Sequence, residues 1–120
     1  HIDMVAGIVA QRYSQTNAVT VSMDKISFLK PVFVGNVLFV NARVNYVQKS
    51  SMEIEVNVEA EDISKGTRVL TGNAFVTFVA LDDNGKPTPV PTLRIDNAED
   101  QKRFDEGKLR MERRLKERKN

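Results

Sequence analysis

A strictly alternating segment near the middle of the chain constrains the fold more than any other feature. Between residues 52 and 61, apolar side chains (Met52, Ile54, Val56, Val58, Ala60) alternate with polar ones (Glu53, Glu55, Asn57, Glu59, Glu61). Successive side chains of a strand point to opposite faces, so the pattern predicts a strand of an antiparallel sheet with one buried face. We expect the acidic row to face water.

Long strands are predicted on both sides of this segment. Residues 37–49 and 67–82 have strand character, and turns are indicated at Gly35-Asn36, Lys49-Ser50-Ser51, residues 64–66 and residues 82–86. In the first of these strands one face should present Leu38, Val40, Ala42, Val44 and Tyr46. An earlier strand begins at Ala18 and runs toward the Lys30-Pro31 break, with Val19, Val21 and Met23 alternating with Thr20, Ser22 and Asp24.

Residues 2–13 have helical character and are apolar on both sides. One stripe contains Ile2, Val5, Ala6, Val9 and Tyr13, and the opposite side contains Met4, Ile8 and Ala10. A helix that is apolar all round is surrounded by protein. The sequence therefore predicts an α+β domain in which an antiparallel sheet wraps around a central apolar helix, with the carboxylate of Asp3 at the entrance of that helix.

The last residues differ from the rest in charge and pattern. Residues 1–96 are predicted to form the domain, and residues 97–120 a charged helical extension anchored by Phe104, Met111 and Leu115 and interrupted by Gly107. Such a helix is marginal alone. We expect it to dock on a partner or on the domain surface, or to fray.

Composition excludes several classes of site. The 120 residues suit one domain; there is no Cys and only one His, so disulfides, thiolate chemistry and multi-His metal sites are excluded. No calcium-loop or HExxH pattern is present, and we expect no metal. No apolar run reaches the roughly 18 residues of a membrane helix, and no secretory signal peptide is visible. We expect neither a membrane partner nor a cofactor.

The positive charge belongs to the tail. Residues 1–96 contain nine Lys or Arg and ten Asp or Glu, whereas residues 97–120 contain nine and six. Because six acids interrupt the basic residues, the tail is a weak signal for phosphate binding. No nucleic-acid partner is expected; if the tail did bind one, binding would be steeply salt-dependent and would be lost without residues 98–120.

Four segments carry a family likeness: IDMVAGIVA, VTVSMDKISFLKPVFVGNV, KSSMEIEVNVEAED and AFVTFVALDDNGKPTPVP, which occur in this order over residues 2–91. In these segments the chain resembles the hotdog-fold acyl-CoA thioesterases, specifically the acyl-CoA hydrolase branch. The resemblance implies a hotdog fold, hydrolysis of acyl-CoA to carboxylic acid and CoA, and Asp3 as the catalytic carboxylate. It also implies a homodimer with a continuous sheet and active sites at the interface, often assembled as a trimer of dimers, that is, a hexamer.

The chain departs from the family pattern in two places. Ile2 stands where the family usually has Met before the catalytic Asp. The family's upstream N-terminal strand and Asn-x-x-Gly-Gly type segment, which supply contacts to the thioester, are absent from these 120 residues. A molecule that began at His1 is therefore expected to have impaired activity.

Thioester hydrolysis gives Asp3 two possible roles. An aspartate carboxylate is ionised at neutral pH and is favoured by a helix N-terminus, so it could activate water as a general base or attack directly as a nucleophile. The free N–H groups of the first turn could stabilise the oxyanion. Alternatively, Asp3 only complements the helix dipole. Thr20 could orient water or the thioester, or be an ordinary cross-strand Thr; His1 is more typical of a helix-entry residue than of a second catalytic group.

Binding of CoA requires cations and hydrogen-bond donors. The turn Lys49-Ser50-Ser51 offers a cation, two hydroxyls and backbone N–H groups, and Lys30 and Arg68 are further candidates, although ordinary turn and surface chemistry accounts for each of them equally well. Four apolar residues are expected on the inner face, as core or as acyl pocket: Phe28, Val32, Phe75 and Phe78.

The sequence thus favours a cytoplasmic, homo-oligomeric acyl-CoA thioesterase whose partner is its acyl-CoA substrate. The alternative is a non-catalytic acyl-CoA-binding module that uses the same pocket for sensing. A hotdog dehydratase ranks lower, because it would call for an active-site His on the inner face and the only His is His1.

Overall fold

The computed structural model describes residues 2–23, 27–28 and 35–119. These residues form helix α1 (Ile2–Ser14), strands β1 (Asn17–Met23), β2 (Ser27–Phe28), β3 (Val37–Gln48), β4 (Ser51–Asp62) and β5 (Thr67–Leu81), and helix α2 (Ala98–Lys119). The apolar helix and the three long strands are confirmed, each within one residue of its predicted limits. The division into residues 1–96 and 97–120 stays a prediction.

The strands form one antiparallel sheet in the order β1-β5-β4-β3, with β2 also paired to β5. Strands β3, β4 and β5 follow one another as hairpins, as expected for sequential strands. Strand β1 instead lies beside β5, the last strand, so β3 is an edge strand of this sheet.

Helix α1 packs on one face of the sheet through its smallest side chains. Ala6 and Ala10 are fully buried against a core formed by Met52, Ile54, Val56, Val76, Phe78 and Ala80. However, Met4 is 60% exposed and Ile8 is 47% exposed on the other side of the helix. The prediction that the helix is surrounded is therefore wrong for the single chain, because the sheet covers only one side of it.

A bulge in β3 changes the direction of one predicted face. Val44 pairs with Ile54 but Tyr46 pairs with Glu53, so Asn45 is an extra residue in β3. An extra residue reverses the alternation of the side chains that follow it. The prediction that Tyr46 shares a face with Val44 is therefore wrong: Tyr46 is buried on the opposite face, where its ring centroid lies 4.8 Å from that of Phe104 in α2.

A second shift interrupts β1. Thr20 pairs with Phe78 and Ser22 with Thr77, so the regular alternation predicted from Ala18 onward breaks at Val21. Val19, Val21 and Met23 all remain about two-fifths exposed. The core contact of this strand is Ala18, which packs against the buried cluster.

Helix α2 covers part of the face opposite α1, and this corrects the prediction for the acidic row. Glu53 is 0% exposed, because the guanidinium of Arg110 binds it from α2. Glu55 and Glu59 are half-buried. Of the outcomes expected for the tail, docking on the domain surface is the one observed. Asn97 caps the helix, its side-chain oxygen accepting from the N–H of Asp100 at 2.8 Å.

Gly107 is a close-packing position rather than an interruption of α2. A Cβ atom there would lie 2.7 Å from the Cβ of Tyr46, closer than real Cβ atoms approach other atoms. Among the described residues, no helix combines the length and the apolar character needed to cross a membrane.

Candidate functional site

The second turn of α1 and the middle of β1 both lie beside Phe78. Asp3 lies in the first turn of α1, and its side chain is outside the described part of the structure. Gly7 is one turn further along on the same side of the helix; a Cβ there would lie 3.9 Å from Cε1 of Phe78. Thr20 is the cross-strand partner of Phe78. The backbone therefore brings Thr20 close to the side of α1 on which Asp3 begins the helix.

The predicted CoA-binding turn is held from two directions. Lys49 has a positive φ of 54° and an exposed side chain. The N–H of Val90 donates to the Lys49 carbonyl at 2.8 Å, and the N–H of Ala80 donates to the Ser50 carbonyl at 2.9 Å. Ser51 begins β4, opposite Gln48. The turn is therefore a fixed feature of the sheet end rather than a free loop.

The turn and Thr20 lie at the same end of the sheet. Ser51 pairs with Val79, one position from the Phe78–Thr20 pair. Since β5 alone separates β1 from β4, two strand spacings of about 5 Å each separate them across the sheet. Thr20 and Lys49-Ser50-Ser51 can therefore belong to one site within a single chain.

Arg68 lies far from this end. It pairs across the sheet with Glu61 and stands eleven residues before Val79, a separation of about 36 Å along a strand. Its guanidinium binds Glu59 at 2.9 Å and stacks 3.7 Å from the centroid of the Phe39 ring. A role for Arg68 in binding CoA stays a prediction, and the turn at Lys49 is out of its reach within one chain.

Several other predicted residues can be placed only in part. His1, Lys30 and Val32 lie outside the described residues, as does the side chain of Phe28. Phe78 is in the core, as expected. Phe75 is not on the inner face: its ring lies under the guanidinium of Arg110, 3.7 Å from the ring centroid, on the side covered by α2.

A polar network on the α2 side was missed by the sequence reasoning. The carboxylate of Glu55 accepts from the side-chain amides of Asn45 (2.7 Å), Asn57 (3.3 Å) and Asn73 (3.0 Å). Glu55, Asn45 and Asn57 line a cleft of about 370 Å³ between α2 and the sheet. The signal available was the concentration of amides at polar positions of all three long strands.

Arg110 was also missed. Its pKa is raised overall: burial opposes the charged form, but the hydrogen bonds and charge of Glu53 outweigh it, with help from Glu55 and Glu106. Among the described residues, no group of three or more His, Cys, Asp or Glu side chains could hold a metal ion.

Comparison with known proteins identifies the fold and the family. An antiparallel sheet packed on one apolar helix, with a second helix on its other face, is a hotdog fold of the α+β class. Residues 2–67 match the family described as the Thioesterase superfamily. The chain belongs to this family.

Two curated relatives are longer than the segment that matches this chain. It is 42% identical over 111 residues to the cytosolic acyl coenzyme A thioester hydrolase of Rattus norvegicus, covering 91% of this chain and 29% of that protein. It is 44% identical over 93 residues to an uncharacterised acyl-CoA thioester hydrolase of Bacillus subtilis, covering 78% of this chain and 54% of that protein. The chain thus spans about a third to a half of these relatives.

Solved structures resemble the chain over nearly its whole length. An acyl-CoA hydrolase from Bacillus cereus has a TM-score of 0.91 and 36% identity, covering 98% of this chain and 71% of that one. The acyl-CoA hydrolase of Staphylococcus aureus, solved with butyryl coenzyme A and coenzyme A, has a TM-score of 0.89 and 37% identity, covering 98% and 71%. Its solved variants include an Asp-to-Ala and a Thr-to-Ala change seventeen positions apart. Another similar structure is an apo-hexameric acyl-CoA thioesterase, with a TM-score of 0.90 and 33% identity, covering 97% of this chain and 74% of that one.

Proposed function

We propose that this chain forms the catalytic hotdog domain of an acyl-CoA hydrolase, which converts acyl-CoA and water to a carboxylic acid and CoA. One observation carries the proposal: Asp3 and Thr20 are seventeen positions apart, the spacing of the aspartate and threonine altered in the Staphylococcus aureus enzyme. In this chain Gly7, which lies one turn after Asp3 in α1, and the strand position of Thr20 both lie beside Phe78.

The proposed chemistry uses groups of this chain only. Asp3 takes a proton from water as the water oxygen bonds to the thioester carbon, or its carboxylate attacks that carbon to form an anhydride that water then hydrolyses. The carbon–sulfur bond breaks and CoA leaves as a thiolate that accepts a proton. The first N–H groups of α1 have no partner within the helix and can donate to the oxyanion. Thr20 orients the water or the thioester. No metal or organic cofactor takes part.

The CoA moiety is assigned to the cations and donors around the sheet end. The turn Lys49-Ser50-Ser51 lies at the level of Thr20 and is held by Val90 and Ala80, which suits it to a phosphate or an amide of the pantetheine arm. Lys30 and Arg68 are proposed as further contacts. Because Arg68 lies at the opposite end of β5, it is proposed to contact a CoA molecule that is bound mainly by another subunit.

The proposed assembly is a homodimer, with a trimer of dimers as the larger form. The structure leaves apolar side chains uncovered on α1 and on the edge strand β3: Met4, Ile8, Leu38 and Val40. Exposed apolar surface and an open sheet edge favour association with a second copy. One similar solved thioesterase is described as hexameric. A cytoplasmic location is proposed from the cytosolic rat relative, without a membrane or nucleic-acid partner.

Release of CoA tests the function directly. Incubation of the intact protein with a series of acyl-CoA thioesters should liberate free thiol, followed with a thiol reagent, in proportion to enzyme concentration. The matched ligand is the non-hydrolysable thioether analogue of the best substrate, whose binding is measured by calorimetry. Binding of the analogue without release of thiol from any substrate would instead identify a non-catalytic acyl-CoA-binding module.

A further inference from the structure

Helix α2 contacts the β3–β4 hairpin close to its tip. Tyr46 and Glu53 are cross-strand partners, two pairs away from the Gln48–Ser51 pair that closes the turn. Direct partners share a face of the sheet, and both side chains are buried on the α2 side. The segment predicted to bind CoA is therefore only a few residues from the place where α2 is attached.

Gly107 and Phe104 bring α2 against the first strand of this hairpin. A Cβ atom at Gly107 would lie 2.7 Å from the Cβ of Tyr46 and 3.1 Å from Oε1 of Glu53, so glycine alone allows this approach. The Phe104 ring meets the Tyr46 ring edge-on, at an interplanar angle of 62°. The hydroxyl of Tyr46 then donates to Oε1 of Gln48 at 3.1 Å, next to the turn.

Arg110 attaches α2 to the second strand. Its Nε donates to Oε2 of Glu53 at 2.8 Å and its Nη2 to Oε1 at 2.6 Å, while the guanidinium lies over the Phe75 ring. Phe104, Gly107 and Arg110 are spaced three apart and therefore share one side of the helix. Both strands of the hairpin are thus held by the same turns of α2.

The buried ion pair between Arg110 and Glu53 is better explained by the geometry that it fixes than by a contribution to stability. Removing two charges from water costs free energy that their attraction often only offsets, and apolar residues of similar volume stabilise as well or better. A two-pronged Arg–carboxylate pair does, however, fix distance and orientation. Here it fixes the position of Glu53, two residues from Ser51.

We propose that α2 positions the β3–β4 turn to receive the nucleotide end of acyl-CoA, with Arg110 and Gly107 as positioning residues that act through Glu53 and Tyr46. This inference rests on the proposed function. Neither residue touches the substrate. Loosening α2 should therefore weaken binding of the CoA moiety and leave the chemistry at the start of α1 unchanged.

The test compares two substrates with the same acyl group, acyl-CoA and the acyl thioester of N-acetylcysteamine, which lacks the nucleotide. Arg110→Met keeps an unbranched side chain without the two-pronged bond, and Gly107→Ala forces α2 away from Tyr46. For each variant, KM for acyl-CoA should rise about 5-fold or more while kcat stays within about twofold. The kcat/KM for the short thioester should not change. Leu109→Ala, at an exposed position of the same helix, should leave both substrates unaffected.

Three results would overturn the positioning role. These are an unchanged KM for acyl-CoA, an equal loss for both substrates, and an effect of Leu109→Ala as large as that of Gly107→Ala. If Arg110→Met does not fold, as judged by circular dichroism, Arg110→Lys is used, which keeps the charge but cannot form the two-pronged bond. A wild-type protein that hydrolyses neither substrate would overturn the proposed function itself, whereas active wild type with unaffected variants overturns only the role of α2.

Discussion

Two carboxylates in the acidic row of β4 have similar positions in the sequence pattern but different environments in the structure. Glu53 and Glu59 occupy equivalent polar positions of one alternating segment, yet Glu53 is fully buried and bound by Arg110, fifty-seven positions away. Glu59 pairs with Arg68 while both remain partly exposed. Nothing local separates the two residues, because their difference comes from where α2 docks.

This difference predicts different costs of truncation. Glu53→Ala leaves Arg110 without its partner in a largely buried site and should lower the free energy of unfolding by about 3 kcal/mol. Glu59→Ala removes a partly exposed pair and should cost at most about 1 kcal/mol. Urea denaturation followed by circular dichroism measures both. Equal losses of unfolding free energy would show that the Arg110–Glu53 pair does not behave as a buried ion pair.

The proposed catalytic residues, Asp3 and Thr20, could be predicted from the sequence. Residue patterns alone showed a carboxylate at a helix entrance and a threonine on a neighbouring strand. The resemblance supplied the role of Asp3, whereas the role of Thr20 was inferred from its position on that strand. The structure adds the cross-strand pairing of Thr20 with Phe78, a register that hydrophobic periodicity does not encode. The chemical role of Asp3 and Thr20 stays a prediction.

At the scale of elements, hydrophobic periodicity was sufficient to predict that helix α1 and the three long strands exist and where they begin and end. The helix at residues 2–14 and the strands at 37–48, 51–62 and 67–81 follow directly from apolar spacing and from turn residues. Faces were predicted less well, because one extra residue at Asn45 reverses Tyr46 and a shift near Val21 interrupts β1. The residue composition of a strand does not reveal a bulge. Side chains beyond the bulge are therefore assigned to the wrong face of the strand.

Helix α2 was predicted as an element, with docking on the domain surface as one expected outcome, but the roles of Gly107 and Arg110 in that docking were not predicted. Gly107 looked like an interruption because glycine weakens an isolated helix. In the folded chain it is the position at which the helix backbone approaches Tyr46. Arg110 looked like one of many tail cations, since the carboxylate that binds it is distant in sequence. Long-range pairing of this kind decides which face of a charged helix is buried.

At the scale of the whole molecule, the uncovered apolar surface predicts association. Met4 and Ile8 on α1 and Leu38 on β3 are exposed in the single chain, and burial of such side chains contributes roughly 25 cal/mol per Å². Light scattering of the intact protein at micromolar concentration should therefore give a mass of at least two subunits. Ile8→Asp should shift the distribution toward smaller species, while Leu109→Asp on α2 should not. A wild-type monomer would contradict the proposed assembly.

The central claim concerns one carboxylate at the start of α1, and the rate of CoA release by Asp3→Asn tests it most directly. The amide keeps the size of the side chain but can neither accept the proton nor attack the thioester. With acyl-CoA as substrate, kcat should fall by about 100-fold or more, the typical contribution of a general base, while CoA affinity stays within a few-fold. A kcat within a few-fold of wild type would show that Asp3 is not the group that acts on the thioester.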